Sequence, residues 1–381
     1  MDFGWHDSQQ ELHARTLRFA RQRLNQRVQE REREHHFGLA EWRLCGEFGL
    51  LGLSIPERYH GLGLDSLTTA RAVEALGQGC EDTGLVFSAA AHLFACAMPI
   101  VEHGSAGLKE RVLPLLATGT WIGANAITEP EAGSDVFALK SKAIREGASY
   151  VLTGTKSYVT NGPVADAFLV YASTNPSHGY LGVSAFLVEK GTPGLTVGKP
   201  FAKMGLTTSP IGSIYMDHCR VPAESIVGEE GQGAKIFSDS MQWERSCLFA
   251  AYLGTMERQI EETIRYASQR TQFHKPIGRH QAIAHKIADM KLRLEAARLL
   301  LYRACWLQDR GEEAGLEVSL AKLAVSEAAI QSSLDAIHIH GGAGYISDTG
   351  IERALRDAIP STLFSGTSEI QRDIIARKLG L

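Results

Sequence analysis

Tyr150-Val-Leu-Thr-Gly-Thr-Lys-Ser-Tyr-Val-Thr-Asn-Gly162 is rich in β-branched and aromatic residues and ends on an Asn-Gly pair. It reads as a half-buried strand closed by a hairpin turn. On such a strand the side chains of Tyr158 and Thr160 share one face, so an aromatic ring and a hydroxyl can meet the same ligand. Similar short runs surround it: Ala167 to Ala172, Val183 to Val188 and Ile211 to Met216, bounded by Gly, Asn and Pro. A β-domain therefore occupies the middle of the chain, over 121–226.

On either side the apolar period is helical. From Ser8 to about Gly119 it is broken at Gly49 to Gly52, Pro56 to Gly63, Gly77 to Thr83 and His103-Gly104, which gives a helical domain over 1–120. Within it, Leu85 to Val101 is rich in small residues and contains His92, so this helix walls a pocket or packs closely on its neighbours. After Gly228-Glu-Glu-Gly-Gln-Gly233 the period returns in long segments, about Ala234 to Ser268, Gln281 to Gly311, Leu316 to His340 and Ile370 to Lys378. These predict a helix bundle over 227–381. The fold class is α+β, in the order helices, sheet, bundle.

With 381 residues the chain suits two or three packed units and can enclose a large cofactor. A net charge of −4 and a pI near 6.4 lack the basic excess that neutralising a phosphate backbone requires, which disfavours nucleic acid. Basic residues do gather in Arg15, Arg18, Arg21, Arg23, Arg27, Arg31 and Arg33. Such a run reads first as a solvated helix face, and second as a dock for an acidic partner. The six cysteines are scattered without a CxxC pair, as reduced thiols in a cytoplasmic protein are. Met1 to Glu11 is polar, and no apolar stretch is expected to reach the roughly 20 residues that span a bilayer.

Four segments offer chemistry. In Ala126-Ile-Thr-Glu-Pro-Glu-Ala-Gly-Ser-Asp135, Thr128 and Ser134 supply hydroxyls and Gly133 lets a backbone amide approach a ligand. The strand with Tyr158 and Thr160 is the second. The third is Arg270-Thr-Gln-Phe-His-Lys-Pro-Ile277, followed by Gln281 at a helix start; the planar fork of Arg270 suits a diphosphate. In the fourth, Gly341 and Gly342 of His338-Ile-His-Gly-Gly-Ala-Gly-Tyr345 end a helix with exposed amides, and Thr367 of Phe364-Ser-Gly-Thr-Ser-Glu369 opens the last helix. The two histidines have no completing Cys or carboxylate in sequence, so no metal site is expected.

In this order the four segments resemble the acyl-CoA dehydrogenase family over essentially the whole chain. The resemblance implies an N-terminal helical domain, a central β-barrel-like domain and a C-terminal four-helix bundle, with FAD bound across a dimer interface in a homotetramer. It also implies that Thr128, Gly133, Ser134, Tyr158 and Thr160 lie about the flavin, that Arg270 and Phe273 reach it from a neighbouring subunit, and that Gln281 also contacts the cofactor. Gly341, Gly342 and Thr367 would line its diphosphate side, and His92 and Arg245 would contact substrate.

Two departures from that family matter. Many members carry a catalytic Glu directly before the last Gly-Thr, where this chain has Ser365, and a serine hydroxyl is too weak a base at neutral pH without an activating partner. Other members keep the base on the first bundle helix, just before an arginine; Glu244-Arg245 stands at that slot. Trp243, Cys247, Leu248, Phe249, Ala250 and Ala251 flank it with apolar groups, so desolvation should raise the pKa of Glu244 and make it a better base. The second departure is His338, where much of the family has Gln.

Finer resemblance, in Ala89 to Ile100, Trp243 to Gly254 and Leu363 to Glu369, is to prolyl-carrier-protein dehydrogenases of natural-product pathways. It implies oxidation of proline held as a thioester on a phosphopantetheinyl peptidyl carrier protein, toward a pyrroline or a pyrrole-2-carboxyl thioester. The electron acceptor is left open between an electron-transfer flavoprotein and oxygen. A short branched-chain acyl-CoA is the alternative substrate.

Overall fold

The computed structural model describes residues 4–381, so the first three residues of the polar stretch Met1 to Glu11 lie outside the described residues. The middle of the chain forms one eight-stranded sheet from β1 (Gly123–Ala126), β2 (Lys142–Glu146), β3 (Ser149–Thr160), β4 (Ala167–Ser173), β5 (Val183–Glu189), β6 (Leu195–Val197), β7 (Ile211–Pro222) and β8 (Ile226–Val227). Its order is β6-β7-β3-β2-β4-β5-β8, with β1 parallel to β4. The two halves meet through a single β2–β4 pair, Lys142 with Ser173.

Strand β4 reads as a continuous apolar run because it is covered on both faces. Phe168, Val170 and Ala172 turn into the sheet's own core, while Ala167, Leu169 and Tyr171 join the core of the helical layers. This strand is therefore the seam between sheet and helices.

Asn161-Gly162 does not close a hairpin. Strand β3 pairs with β2 and β7, and the chain leaves it through Asn161, at φ 63°, and a short helical turn Gly162–Val164. The buried Asn161 amide donates to the carbonyls of Ser88 and Gly123, so it ties sheet to helix.

The N-terminal helices are Asp7–Arg23, Val28–Glu34, Leu39–Phe48, Ser66–Gly79, Thr83–Ala91, Met98–His103 and Ala106–Ala117. Thr83–Ala91 runs through a π-helical turn, His92–Ala97, into Met98–His103. This apolar helix of 21 residues overturns the expectation that no stretch reaches membrane length, yet 89% of its most apolar window is buried inside the protein. It is a core helix. The arginine run also changes meaning: Arg31 is buried, paired with Glu41 at 2.7 Å and Asp82 at 3.0 Å. Arg21 pairs with Glu261, and Arg27 with Glu30. All six cysteines are buried and unpaired.

The bundle is Gly233–Trp243 continuing through Glu244–Leu248 into Ala250–Gln269, then Gln281–Asp309, Gly315–His340 and Ser368–Lys378, with an unanticipated helix Ile351–Ala358. Helix Ser66–Gly79 locks onto Ala250–Gln269 by a reciprocal glycine crossing. A Cβ on Gly77 would stand 2.2 Å from the Ala251 carbonyl oxygen, and one on Gly254 would stand 2.0 Å from that of Glu74. Backbone meets backbone, so neither side can yield cheaply. Gly254→Ala should lower the unfolding free energy by about 1–3 kcal/mol through forced separation of the two helices; an unchanged denaturation midpoint would refute this close contact.

Candidate active site

The bundle's first helix widens at Glu244–Leu248 into a π-turn. Such turns are rare and leave carbonyls without their usual partner; here the Ser246 hydroxyl donates to the Gln242 carbonyl at 2.6 Å. The widened turn points Glu244 inward, where only 8% of the residue is exposed. Its Oε2 accepts a hydrogen bond from the Ser365 hydroxyl at 2.8 Å, while Oε1 is buried with no protein partner. Burial pushes the carboxyl up to about 7, against the opposing pull of Ser365 and then Arg245.

Ser365 is held as firmly as its partner. It has φ 54°, and its carbonyl accepts from Arg245 Nε at 2.9 Å and from Gln371 Nε2 at 3.1 Å. Thr367 caps the last helix by accepting from the Ile370 amide. Phe364 packs against Phe87, Phe249 and Tyr252. Thus Glu244, Arg245, Ser365 and Thr367 form one cluster.

A second cluster joins the loop of Thr128 to β3. The Thr128 carbonyl accepts from the Ser157 amide, next to Tyr158, which is exposed at φ 56° where the β3–β7 register slips. Beneath them lies an ion pair that sequence reading missed. Lys156 is fully buried and donates to Glu129 at 2.7 Å and to the Ile127 carbonyl at 3.1 Å. Glu129 also accepts from the amides of Lys140 and Ser141. Burial works to raise the Glu129 carboxyl, but Lys156 and these donors outweigh it and the net shift is downward. Lys156 is pushed down to about 8 by burial, with Glu129 opposing. The signal was present: Lys156 shares the inward parity of Tyr150 and Leu152, and a lysine there requires a carboxylate.

A third cluster sits at the far end of helix Ala250–Gln269. Arg270 leads into a small hairpin, Thr271–Gln272 with Lys275–Pro276, whose tip residue Phe273 is 85% exposed. Gln281 starts the next helix. The Tyr266 hydroxyl reaches the His340 carbonyl, which brings Gly341 and Gly342 to the same end; His338 is exposed there. No hydrogen bond or ring contact joins this cluster to the Thr128–Thr160 cluster among the described residues.

His92 is not where a substrate can use it. Its Nδ1 accepts from the Gly123 amide at 2.8 Å and its Nε2 meets the Leu116 carbonyl at 3.0 Å, so both ring nitrogens are taken. Burial pushes its pKa down to about 4, and the ring stands edge-on to Trp42. It is a neutral strut between helix and β1, which corrects the expected substrate contact. One group does have metal-like spacing, Glu102, His103 and Asp239 within 4.8 Å. Its carboxylates already have partners in Trp243 at 2.6 Å and Lys235 at 2.7 Å. Two surface cavities of about 320 and 290 Å³ are lined by neither Glu244 nor any residue expected at the cofactor.

Three family models match the chain: the acyl-CoA dehydrogenase N-terminal domain over residues 6–120, the middle domain over 124–219 and the C-terminal domain over 231–380. The chain belongs to the acyl-CoA dehydrogenase family. It is 53% identical, over the full length of both chains, to an L-prolyl-[peptidyl-carrier protein] dehydrogenase of Pseudomonas fluorescens. It is 40% identical to the mouse mitochondrial short-chain specific acyl-CoA dehydrogenase, over 95% of this chain and 87% of that one. A solved structure described as PigA with FAD and proline is 45% identical, with a TM-score of 0.98 over all of both chains.

Glu129→Gln would leave the Lys156 charge buried and unpaired. It should cost about 3–5 kcal/mol of stability, read by chemical denaturation, whereas an unaltered transition would show that the pair does not hold the loop.

Proposed function

We propose that this chain is an FAD-dependent dehydrogenase that oxidises the L-prolyl thioester on a phosphopantetheinylated peptidyl carrier protein toward the pyrrole-2-carboxyl thioester. The observation that carries the reading is the buried Glu244 carboxylate with Oε1 free, opposite a serine that cannot itself act as base. The choice of prolyl thioester is supported by the 53% identity to the Pseudomonas fluorescens enzyme and by the proline in the PigA structure.

The residues fit FAD. At Gly133, Gly341 and Gly342 no atom lies within 4 Å of where a Cβ would stand, and these open cradles can admit a ligand close to backbone amides. Thr128, Ser134, Tyr158 and Thr160 would hold the ring system, while Thr367, beside Glu244, and Gly341 and Gly342, beside Arg270, would meet the diphosphate side from the two ends of the site. Arg270, Phe273 and Gln281 stand apart from the flavin loop and project outward, which suits a cofactor held between two copies of the chain within a homotetramer built as a dimer of dimers. The six buried unpaired thiols suit a reducing cytoplasm.

FAD supplies the acceptor for the β-hydride. Glu244 Oε1 takes the substrate's α-proton, and the electron pair left at Cα forms the Cα–Cβ double bond as the hydride departs. One round removes two hydrogens and leaves a pyrroline. A second loss of two hydrogens from the pyrroline gives the aromatic ring. The two electrons of each oxidation would pass to an electron-transfer flavoprotein or to oxygen before the next begins.

Glu244→Gln should keep the yellow flavin and lose turnover of prolyl carrier protein by about 10²–10⁴-fold; full activity would sink the assignment. In the native enzyme, kcat/KM should fall as pH drops below about 7, as the buried carboxylate takes up its proton. Mass spectrometry of the carrier-bound product, with isovaleryl-CoA assayed in parallel, distinguishes loss of four hydrogens from loss of two and the prolyl from the branched-chain substrate.

A further inference from the structure

We propose that Ser365 is a positioning residue, whose hydroxyl clamps Oε2 of Glu244 and thereby commits Oε1 to the substrate while favouring the anionic base. The inference rests on Glu244 being the base, and goes beyond it by giving a task to the residue that stands where a carboxylate was expected.

The geometry on both sides of the 2.8 Å bond supports this. A hydroxyl can lend a carboxylate only one proton, so one oxygen is occupied and the other, Oε1, is left bare in a buried site. Arg245 and Gln371 both hold the carbonyl of Ser365, which fixes the backbone from which the hydroxyl reaches Oε2. Its φ of 54° is a conformation few residues with a side chain adopt. The hydroxyl is thus aimed by its backbone, and Arg245 serves as the anchor of that backbone as well as a charge beside Glu244.

A hydrogen bond donated to a carboxylate favours the charged form, opposing the upward push of burial. Three other carboxyls near the turn also titrate on the acid side: Asp357 is pushed up to about 6 by burial, and Glu102, which accepts from Trp243, and Asp309 are raised by burial. None is hydrogen-bonded to Glu244 or Ser365, so the difference between native enzyme and Ser365 variant reports on the clamp alone. Arg245 lies on the turn itself. Tyr171 on β4 is pushed up by burial and then by Glu244, and the thiols of Cys96 and Cys305 are pushed up by burial. His92 is pushed down to about 4 by burial. Lys322, on Gly315–His340, lies over the Phe249 ring and is pushed down to about 8 by burial and then Arg245, so it titrates on the alkaline side.

The test compares Ser365→Gly with Ser365→Ala in the flavin-loaded enzyme. Both remove the hydroxyl, but glycine accepts positive φ without strain, so Ser365→Gly separates hydroxyl loss from backbone damage. In Ser365→Gly the acid limb of kcat/KM should move up by about one pH unit. Activity at pH 6.5 then falls by about tenfold, and the deficit narrows as pH rises. A merely structural role would lower activity by one factor at all pH values; that outcome, or a native acid limb in both variants, overturns the proposal. Glu244→Gln run alongside keeps the two claims apart: if it is inactive while the Ser365 variants keep the native limb, the base stands and the clamp falls.

Discussion

A carboxylate removed from water must find either a partner or a proton, and the active end of this molecule is arranged around one that is given only half a partner. Glu244 has one oxygen bonded to Ser365 and the other bare. Complete pairing would stabilise the anion and make a poor base, while none would leave the group protonated at neutral pH. The intermediate case holds the carboxyl at about 7. Arg245, Ser365 and Gln371 are arranged to keep it there.

That arrangement needs backbone in unusual places, and the helices provide it twice. Both long elements flanking the site contain a π-turn, His92–Ala97 and Glu244–Leu248. They touch through the rings of Phe94 and Trp243, which lie nearly parallel with centroids 6.2 Å apart. The first π-turn carries His92, whose two nitrogens bind helix to sheet; the second carries Glu244, the proposed base. The strut and the buried carboxylate meet along a single aromatic stack. The glycine crossing of Gly77 and Gly254 packs helix Ser66–Gly79 backbone to backbone against the continuation of the second element, Ala250–Gln269.

How much of this the sequence disclosed follows from which signals are local. Strand β4 and the three long bundle helices were legible because burial on two faces or one leaves a direct imprint on residue type. Glu244 was picked out by resemblance to family members that keep their base just before an arginine, and its apolar neighbours added the expectation of burial. The π-turns were not, since no residue type demands one. The Asn161-Gly162 pair misled because its turn chemistry is shared by hairpins and by other strand exits, and only pairing partners distinguish them. Arg31 and His92 misled for a common reason. A polar residue in a helix looks available to solvent or ligand until distant chain arrives to occupy it, Asp82 in one case and Gly123 with Leu116 in the other.

In its proposed role the same carboxylate links activity to stability with opposite signs. A carboxyl whose folded pKa is raised, here from 4.5 to about 7, contributes its full stability below the unfolded value. That contribution is lost as pH rises through the folded one, a difference of about 3 kcal/mol. In the proposed role Glu244 must be ionised, which needs a pH above about 7, so the protonation state that role requires is the less stable one. The Ser365 hydrogen bond moderates this conflict by stabilising the anion, and the anchors on Ser365 keep that moderation in place without covering Oε1. A second full partner would remove the instability together with the reactivity that the proposal assigns to the bare oxygen.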